Sequence, residues 1–342
     1  MIAAHHKDIR PVRRRDRARS ARTPGLRVAR TGDAVAGLPG SAAGSGYHGG
    51  ECRPPRLPPR PSCETRSPPV TTVPAIDHRA TGYSPAHAYW LARAADLAYK
   101  DESTIAAEVG RWGFGRVRHH RTTFRPPFPL EDTQAYTMAG DHMIITAFRG
   151  TEPAQIRDWL SDATTPPWPG PANKGFVHYG FGEALESVFP EVKKTLAEFR
   201  DNGQTVWFTG HSLGGALAML AGARLYFEDP NLLADGVYTF GQPRTCDLTL
   251  AGACDKAFTR RTYRFVNNND IVAQLPPEPV YHHVQTLRYI DSGGKVHDSM
   301  PLLGGLADRA KGLTADAFAP ASDAVRDHSM KKYLAALEKN LS

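Results

Sequence analysis

The chain has 342 residues, 41% of them hydrophobic, with 42 Lys and Arg against 35 Asp and Glu. No run of 18 or more apolar residues occurs, so no membrane-spanning helix is expected. The positive excess sits in the head: residues 1–70 hold 14 Lys/Arg and 5 Asp/Glu, a net of +9, which leaves residues 71–342 at −2. A near-neutral body without a basic, aromatic-interleaved stripe argues against nucleic-acid binding.

Residues 1–78 are rich in Arg, Pro, Gly and Ala. Stretches such as Arg53–Pro61 cannot form a helix or a central strand. This head is expected to be disordered because it cannot bury enough apolar surface to offset its ordering entropy. A basic or Pro-rich docking arm, and an over-extended reading frame, are the other readings. The first 30 residues lack the apolar stretch of a secretory signal. The chain as written therefore reads as cytoplasmic, with an organelle transit segment or secretion as alternatives. The cysteines Cys52, Cys63, Cys246 and Cys254 match no zinc spacing. No metal or cofactor is expected; free thiols are the default and a Cys246–Cys254 disulfide the alternative.

Residues 79–342 read as a single α/β domain. Ser84-Pro85 marks a helix start, with Ala86–Tyr99 helical and Trp90, Ala94, Leu97 and Ala98 as its apolar stripe. Residues 110–130 read as irregular. A hairpin follows: Gln134–Met138, a turn at Ala139–Asp141, then the continuous apolar strand Met143–Phe148, buried on both faces. Beyond Arg149-Gly150-Thr151, the residues Ile156, Trp159, Leu160 and Ala163 fall on one helical face. A helix from about Phe181 to Arg200 is interrupted or kinked at Pro190. Thr205–Thr209, Gly236–Phe240 and Thr262–Val266 read as strands, and Val284–Ile290 as an outer strand. Residues 292–326 are loop-like, with an apolar patch at Met300–Leu306. Asp327-His328 opens a final helix to about Lys339. Strands alternating with helices predict a mainly parallel sheet covered on both faces.

Gly210-His211-Ser212-Leu213-Gly214 lies between an apolar strand and a helix rich in Gly and Ala, the context of a nucleophile elbow. A serine nucleophile needs a base within hydrogen-bond reach, and the base needs a carboxylate to fix its tautomer. Asp270 follows the buried strand Thr262–Val266 through a short polar loop, a better placement than that of Asp235, Asp247, Asp255 or Asp291. Among the later histidines, His328 stands after a long loop able to reach the sheet edge. His282 and His283 sit at a strand entrance and read as structural, and His297 has no supporting context. His211 is fixed in the elbow with its ring turned from the serine. The oxyanion donors are the N–H groups of Leu213 and Thr151; Thr151 also reads as a helix N-cap.

Five motifs occur in an order that resembles the class 3 (fungal-type) lipase family of the α/β-hydrolase fold. They are Phe148-Arg149-Gly150-Thr151, Val177-His178-Tyr179-Gly180-Phe181, Gly210-His211-Ser212-Leu213-Gly214-Gly215-Ala216, Thr239-Phe240-Gly241-Gln242-Pro243-Arg244 and Val266-Asn267-Asn268-Asn269-Asp270-Ile271-Val272. The resemblance implies a triad of Ser212, Asp270 and His328, Thr151 as the oxyanion residue and His283 as a structural histidine. It also implies that the helix with Ile156, Trp159 and Leu160 is a lid; a short helix packed on the core has the same pattern. The implied substrates are acylglycerols at an oil–water interface. A carboxylesterase, a feruloyl-type esterase or a phospholipase on short or aromatic acyl esters, an acyltransferase, and a binding protein without turnover are the alternatives.

Overall fold

The computed structural model describes residues 75–79, 82–123, 132–151, 166–276, 278–284, 286–300 and 323–341. The head up to residue 74, the lid-like stretch with Ile156, Trp159 and Leu160, residues 301–306 of the apolar patch, and Cys52 and Cys63 lie outside them.

In chain order the elements are α1 Pro85–Leu97, α2 Glu102–Arg111, β1 Arg116–Thr123, β2 Asp132–Ala139, β3 Met143–Phe148, β4 Trp168–Pro169, β5 Phe176–Val177, α3 Tyr179–Phe199 and β6 Thr205–His211. There follow α4 Leu213–Glu228, β7 Gly236–Phe240, α5 Leu248–Ala257, β8 Thr262–Asn267, β9 Leu287–Ile290, β10 Val296–His297, α6 Asp323–Asp327 and α7 Met330–Lys339. The main sheet has the order β1-β2-β3-β6-β7-β8-β9-β10. Its centre, β3 to β9, is parallel. The β1-β2-β3 end and the β9-β10 pair are antiparallel. Every residue of β3, β7 and β8 is buried, as strands covered on both faces must be. One apolar cluster joins α3, α4 and α5 to one face, and a second joins α1, α2 and α7 to the other. Among the described residues no helix is long and apolar enough to cross a membrane.

The sequence reading is corrected at five places. Residues 116–123 form an edge strand. Their arginines read as loop-like, yet two of them hold partners on α3 and just beyond it: Arg118 grips Glu198 through two hydrogen bonds of 2.6 and 2.8 Å, and Arg116 reaches Asp201 at 2.8 Å. At Pro190 the α3 helix is not interrupted: it continues through the proline, which lies on its exposed side. The outer strand predicted over Val284–Ile290 is shorter, beginning at Leu287, and is not outermost, because β10 pairs beyond it. The final helix begins at Met330 behind Ser329, not at Asp327-His328; Asp327 closes the short α6. Cys246 and Cys254 are buried free thiols, so the disulfide alternative does not hold.

Candidate active site

The parallel strands deliver their carboxyl ends to one edge, where loops of an α/β sheet gather reactive groups. Phe148 pairs with Gly210 and His211 with Phe240, so the ends of β3, β6 and β7 are level. Ser212 follows β6 immediately at φ 59°, ψ −128°, a region that costs a side-chain-bearing residue about 1–3 kcal/mol. The strain is held by its neighbours. Ser212 N–H donates to the Phe240 carbonyl at 2.9 Å, and the Ser212 carbonyl accepts from Gly215 N–H at 2.9 Å. A β-carbon on Gly210 would strike the Gly214 carbonyl, and one on Gly214 the Phe148 carbonyl. Only glycines let strand and helix close to this separation.

Asp270 follows β8 and is fully buried. Its Oδ1 accepts from Val272 N–H at 2.9 Å and its Oδ2 from the Tyr333 hydroxyl at 2.6 Å. His328 lies between α6 and α7, and its Nδ1–H is shared between both carboxylate oxygens at 2.9 Å. Burial pushes the Asp270 carboxyl up, but the His328 imidazole and the bonds from His328 and Tyr333 outweigh it and leave the group below the usual carboxylate range. Asp327 does not orient its neighbour His328. Its carboxylate is engaged by Asn268 Nδ2 at 2.9 Å, Asn269 N at 3.3 Å and Lys332 Nζ at 2.6 Å.

Three buried side-chain atoms here lack a hydrogen-bond partner among the described residues: Ser212 Oγ, His328 Nε2 and Thr151 Oγ1. Unsatisfied buried polar atoms are costly, and their clustering at one sheet edge is a functional signal. Thr151 follows Gly150, where a β-carbon would lie 3.1 Å from Ser212 Cβ. Leu213 is the first residue of α4, so its N–H has no intrahelical acceptor and stands at the positive end of the helix dipole.

Other predicted residues have separate partners. Asp235 accepts from Val206 N–H at 2.8 Å, Asp247 caps α5, and Asp291 pairs with His297 at 2.8 Å. His283 donates Nε2–H to the Ala273 carbonyl at 2.7 Å. Burial, with Arg264 nearby, holds that ring far below the usual histidine range. Sequence reasoning missed Gly241, Tyr333, Asn267 and the contacts of His211. Gly241, at φ 59°, has no room for a β-carbon, which would lie 2.7 Å from Asp270 Oδ2 and 2.8 Å from His328 Nδ1. Its position directly after β7, as Gly150 follows β3 by two residues, was the available signal.

Residues 145–280 match the model of the family described as Lipase (class 3). Over that stretch the chain is similar to the class 3 lipases. The fold of the chain is that of the α/β-hydrolases: the solved triacylglyceride lipase of Rhizomucor miehei is 26% identical to it, with a TM-score of 0.50 over 70% of this chain and 90% of that one. By sequence, the lipase of Rhizomucor miehei is 38% identical over 156 residues, which is 43% of this chain and 42% of that protein. The secreted mono- and diacylglycerol lipase 1 of Fusarium solani is 35% identical over 120 residues, 34% of this chain and 35% of that protein. The alignments thus span less than half the length of these relatives.

Proposed function

We propose that the protein is a serine carboxylic-ester hydrolase acting on acylglycerols, with Ser212 as nucleophile, His328 as base and Asp270 as the carboxylate that orients it. The observation that carries this reading is the pair of buried atoms Ser212 Oγ and His328 Nε2, without a hydrogen-bond partner among the described residues, with His328 Nδ1 bound to Asp270. With Nδ1 carrying the hydrogen, Nε2 presents a lone pair. As Oγ attacks the ester carbonyl its proton passes to Nε2, and the imidazolium is stabilised by Asp270. The oxyanion takes the N–H groups of Leu213 and Thr151. The imidazolium returns the proton to the leaving alcohol, and water then repeats the sequence on the acyl-enzyme.

The substrate class is supported by relatives named for triacylglyceride and for mono- and diacylglycerol hydrolysis. The Fusarium solani name favours secretion over the cytoplasmic reading. Ile156, Trp159 and Leu160 remain the proposed lid, which would expose them at a lipid surface and raise activity above substrate solubility.

The test is turnover of p-nitrophenyl esters of increasing chain length, with and without an emulsion. Ser212→Ala is expected to lower kcat by on the order of 10⁴ or more. Unchanged turnover in that variant refutes the assignment. A preference for the shortest chains, indifferent to the interface, moves the protein to the carboxylesterases.

A further inference from the structure

We propose that His211 and Asn267 are positioning residues, which clamp the two main-chain carbonyls at Asp327 and His328 and so fix the imidazole that serves as base. This rests on the reading of His328 given above. α6 ends at Asp327 and α7 begins at Met330, so the base stands in a gap between two helices, where carbonyls need partners from outside the helix. Side chains supply them. The Asp327 carbonyl accepts from Asn267 Nδ2 at 2.9 Å, and the His328 carbonyl accepts from His211 Nε2 at 2.7 Å. All of these residues are buried.

The donors stand on rigid ground. His211 is the last residue of β6 and Asn267 the last of β8, the two strands that flank β7. The segment carrying His328 is thereby referenced to the strand that leads to Ser212 and to the strand that leads to Asp270. Alignment of nucleophile and base then follows from the register of the sheet, and a misplacement of about 1 Å costs on the order of 10² in rate.

The tautomer of His211 follows from its partners. Its ring is fully buried, and burial, then the neighbouring His328, hold its pKa down to about 3. The ring is therefore neutral and has one N–H. That hydrogen is on Nε2, facing a carbonyl, and Nδ1 accepts from the Tyr99 hydroxyl at 2.8 Å. Its ring lies 4.4 Å from that of His328, tilted by 33°. A neutral ring at that distance supports the base without repelling the imidazolium formed in turnover.

Two readouts test the clamp in the full chain. The first is steady-state hydrolysis of p-nitrophenyl butyrate by His211→Phe, which keeps a ring and loses the donor, by Asn267→Ala, and by His211→Gln, which keeps an N–H donor. The second is the low-field NMR resonance of the His328 Nδ1–H, which needs no turnover. His211→Phe is expected to lower kcat about 10- to 100-fold with KM within about twofold, and to broaden or move the resonance. Asn267→Ala acts in the same direction, and His211→Gln recovers most of the loss. An unchanged kcat, or an unchanged resonance, in both His211→Phe and Asn267→Ala overturns the proposal. Should one variant fail to fold by circular dichroism, the other carries both readouts.

Failure of the hydrolase reading is separable. A wild-type chain without Ser212-dependent turnover, whose resonance is still lost in His211→Phe, keeps the clamp and loses the assigned chemistry. Ser212-dependent turnover with His211→Phe at the wild-type rate removes the clamp alone.

Discussion

Tyr333 donates its hydroxyl hydrogen to Asp270 Oδ2 at 2.6 Å, while its own hydroxyl oxygen accepts from Asn267 N–H at 3.0 Å. One phenol thus joins α7 to the loop after β8 and helps keep a fully buried carboxylate ionised. A hydrogen bond to a charged group contributes about 1.5–3 kcal/mol, and its loss strands a buried partner. Tyr333→Phe is expected to lower the free energy of unfolding by about 2 kcal/mol. Because the Asp270 pKa is depressed in the fold, its contribution is present above the unfolded carboxylate range and lost as pH falls through the folded value. Weakening the carboxylate's support moves that loss to higher pH. Urea titrations at two pH values check both statements, and a midpoint equal to wild type contradicts them.

Buried histidines set a second pH dependence. Burial, then the neighbouring His328, holds His211 down to about 3, and burial, with Arg118 nearby, holds His120 down to about 4. Both are below the unfolded value of 6.5, so between pH 6.5 and 4 the unfolded chain binds protons that the folded chain refuses. Stability therefore falls on acidification through that window, each histidine adding up to about 1.4 kcal/mol per pH unit. Thermal melts from neutrality to pH ~5 should show a declining Tm. A Tm that is flat or rises across that range counts against the assignment.

The elbow glycines and a helical glycine should respond oppositely to alanine. Gly210→Ala and Gly214→Ala force a methyl into a neighbouring carbonyl and are expected to cost about 1–3 kcal/mol or more, with loss of the proposed esterase activity. Gly252, inside α5, has open space where a β-carbon would stand. Gly252→Ala should raise stability by about 0.5–1 kcal/mol through helix propensity and a less flexible unfolded chain. Equal denaturation midpoints for the three variants contradict this account.

Cys246 and Cys254 should be inert in the folded protein. Burial pushes the Cys254 thiol up to about 12 and the Cys246 thiol well above the usual thiol range, and only the thiolate reacts. Iodoacetamide at pH ~8 should leave both unlabelled in buffer and label both in urea, as read by peptide mass mapping. Labelling of either in buffer at the rate seen in urea refutes the burial argument.

The strands read best from sequence were those whose environment is uniform. β3 and β7 are apolar because both faces are covered, and their bounds match the reading residue for residue. The serine turn was legible because its two glycines answer a steric demand written into five consecutive positions. Asp270 and His328 were placed by chain order and strand context, and the structure brings their side chains together. Residues 116–123 were misread because the partners of their arginines are distant in sequence: Glu198 and Asp201 lie some 80 positions away. The start of α7 was misplaced because Asp327 looks like a helix cap, while its carboxylate is spent on Asn268 and Asn269. The ring of His211 was given no task because a local pattern carries no information about a carbonyl 117 positions later.

The location of His328 beyond the last strand of the sheet has a consequence for biosynthesis. A chain emerging from the ribosome through Ile290 already contains every parallel strand, Ser212 and Asp270, and no imidazole to serve them. The proposed hydrolytic competence is therefore gained late in translation. Until α7 docks, the nascent sheet is an unarmed precursor of that proposed site.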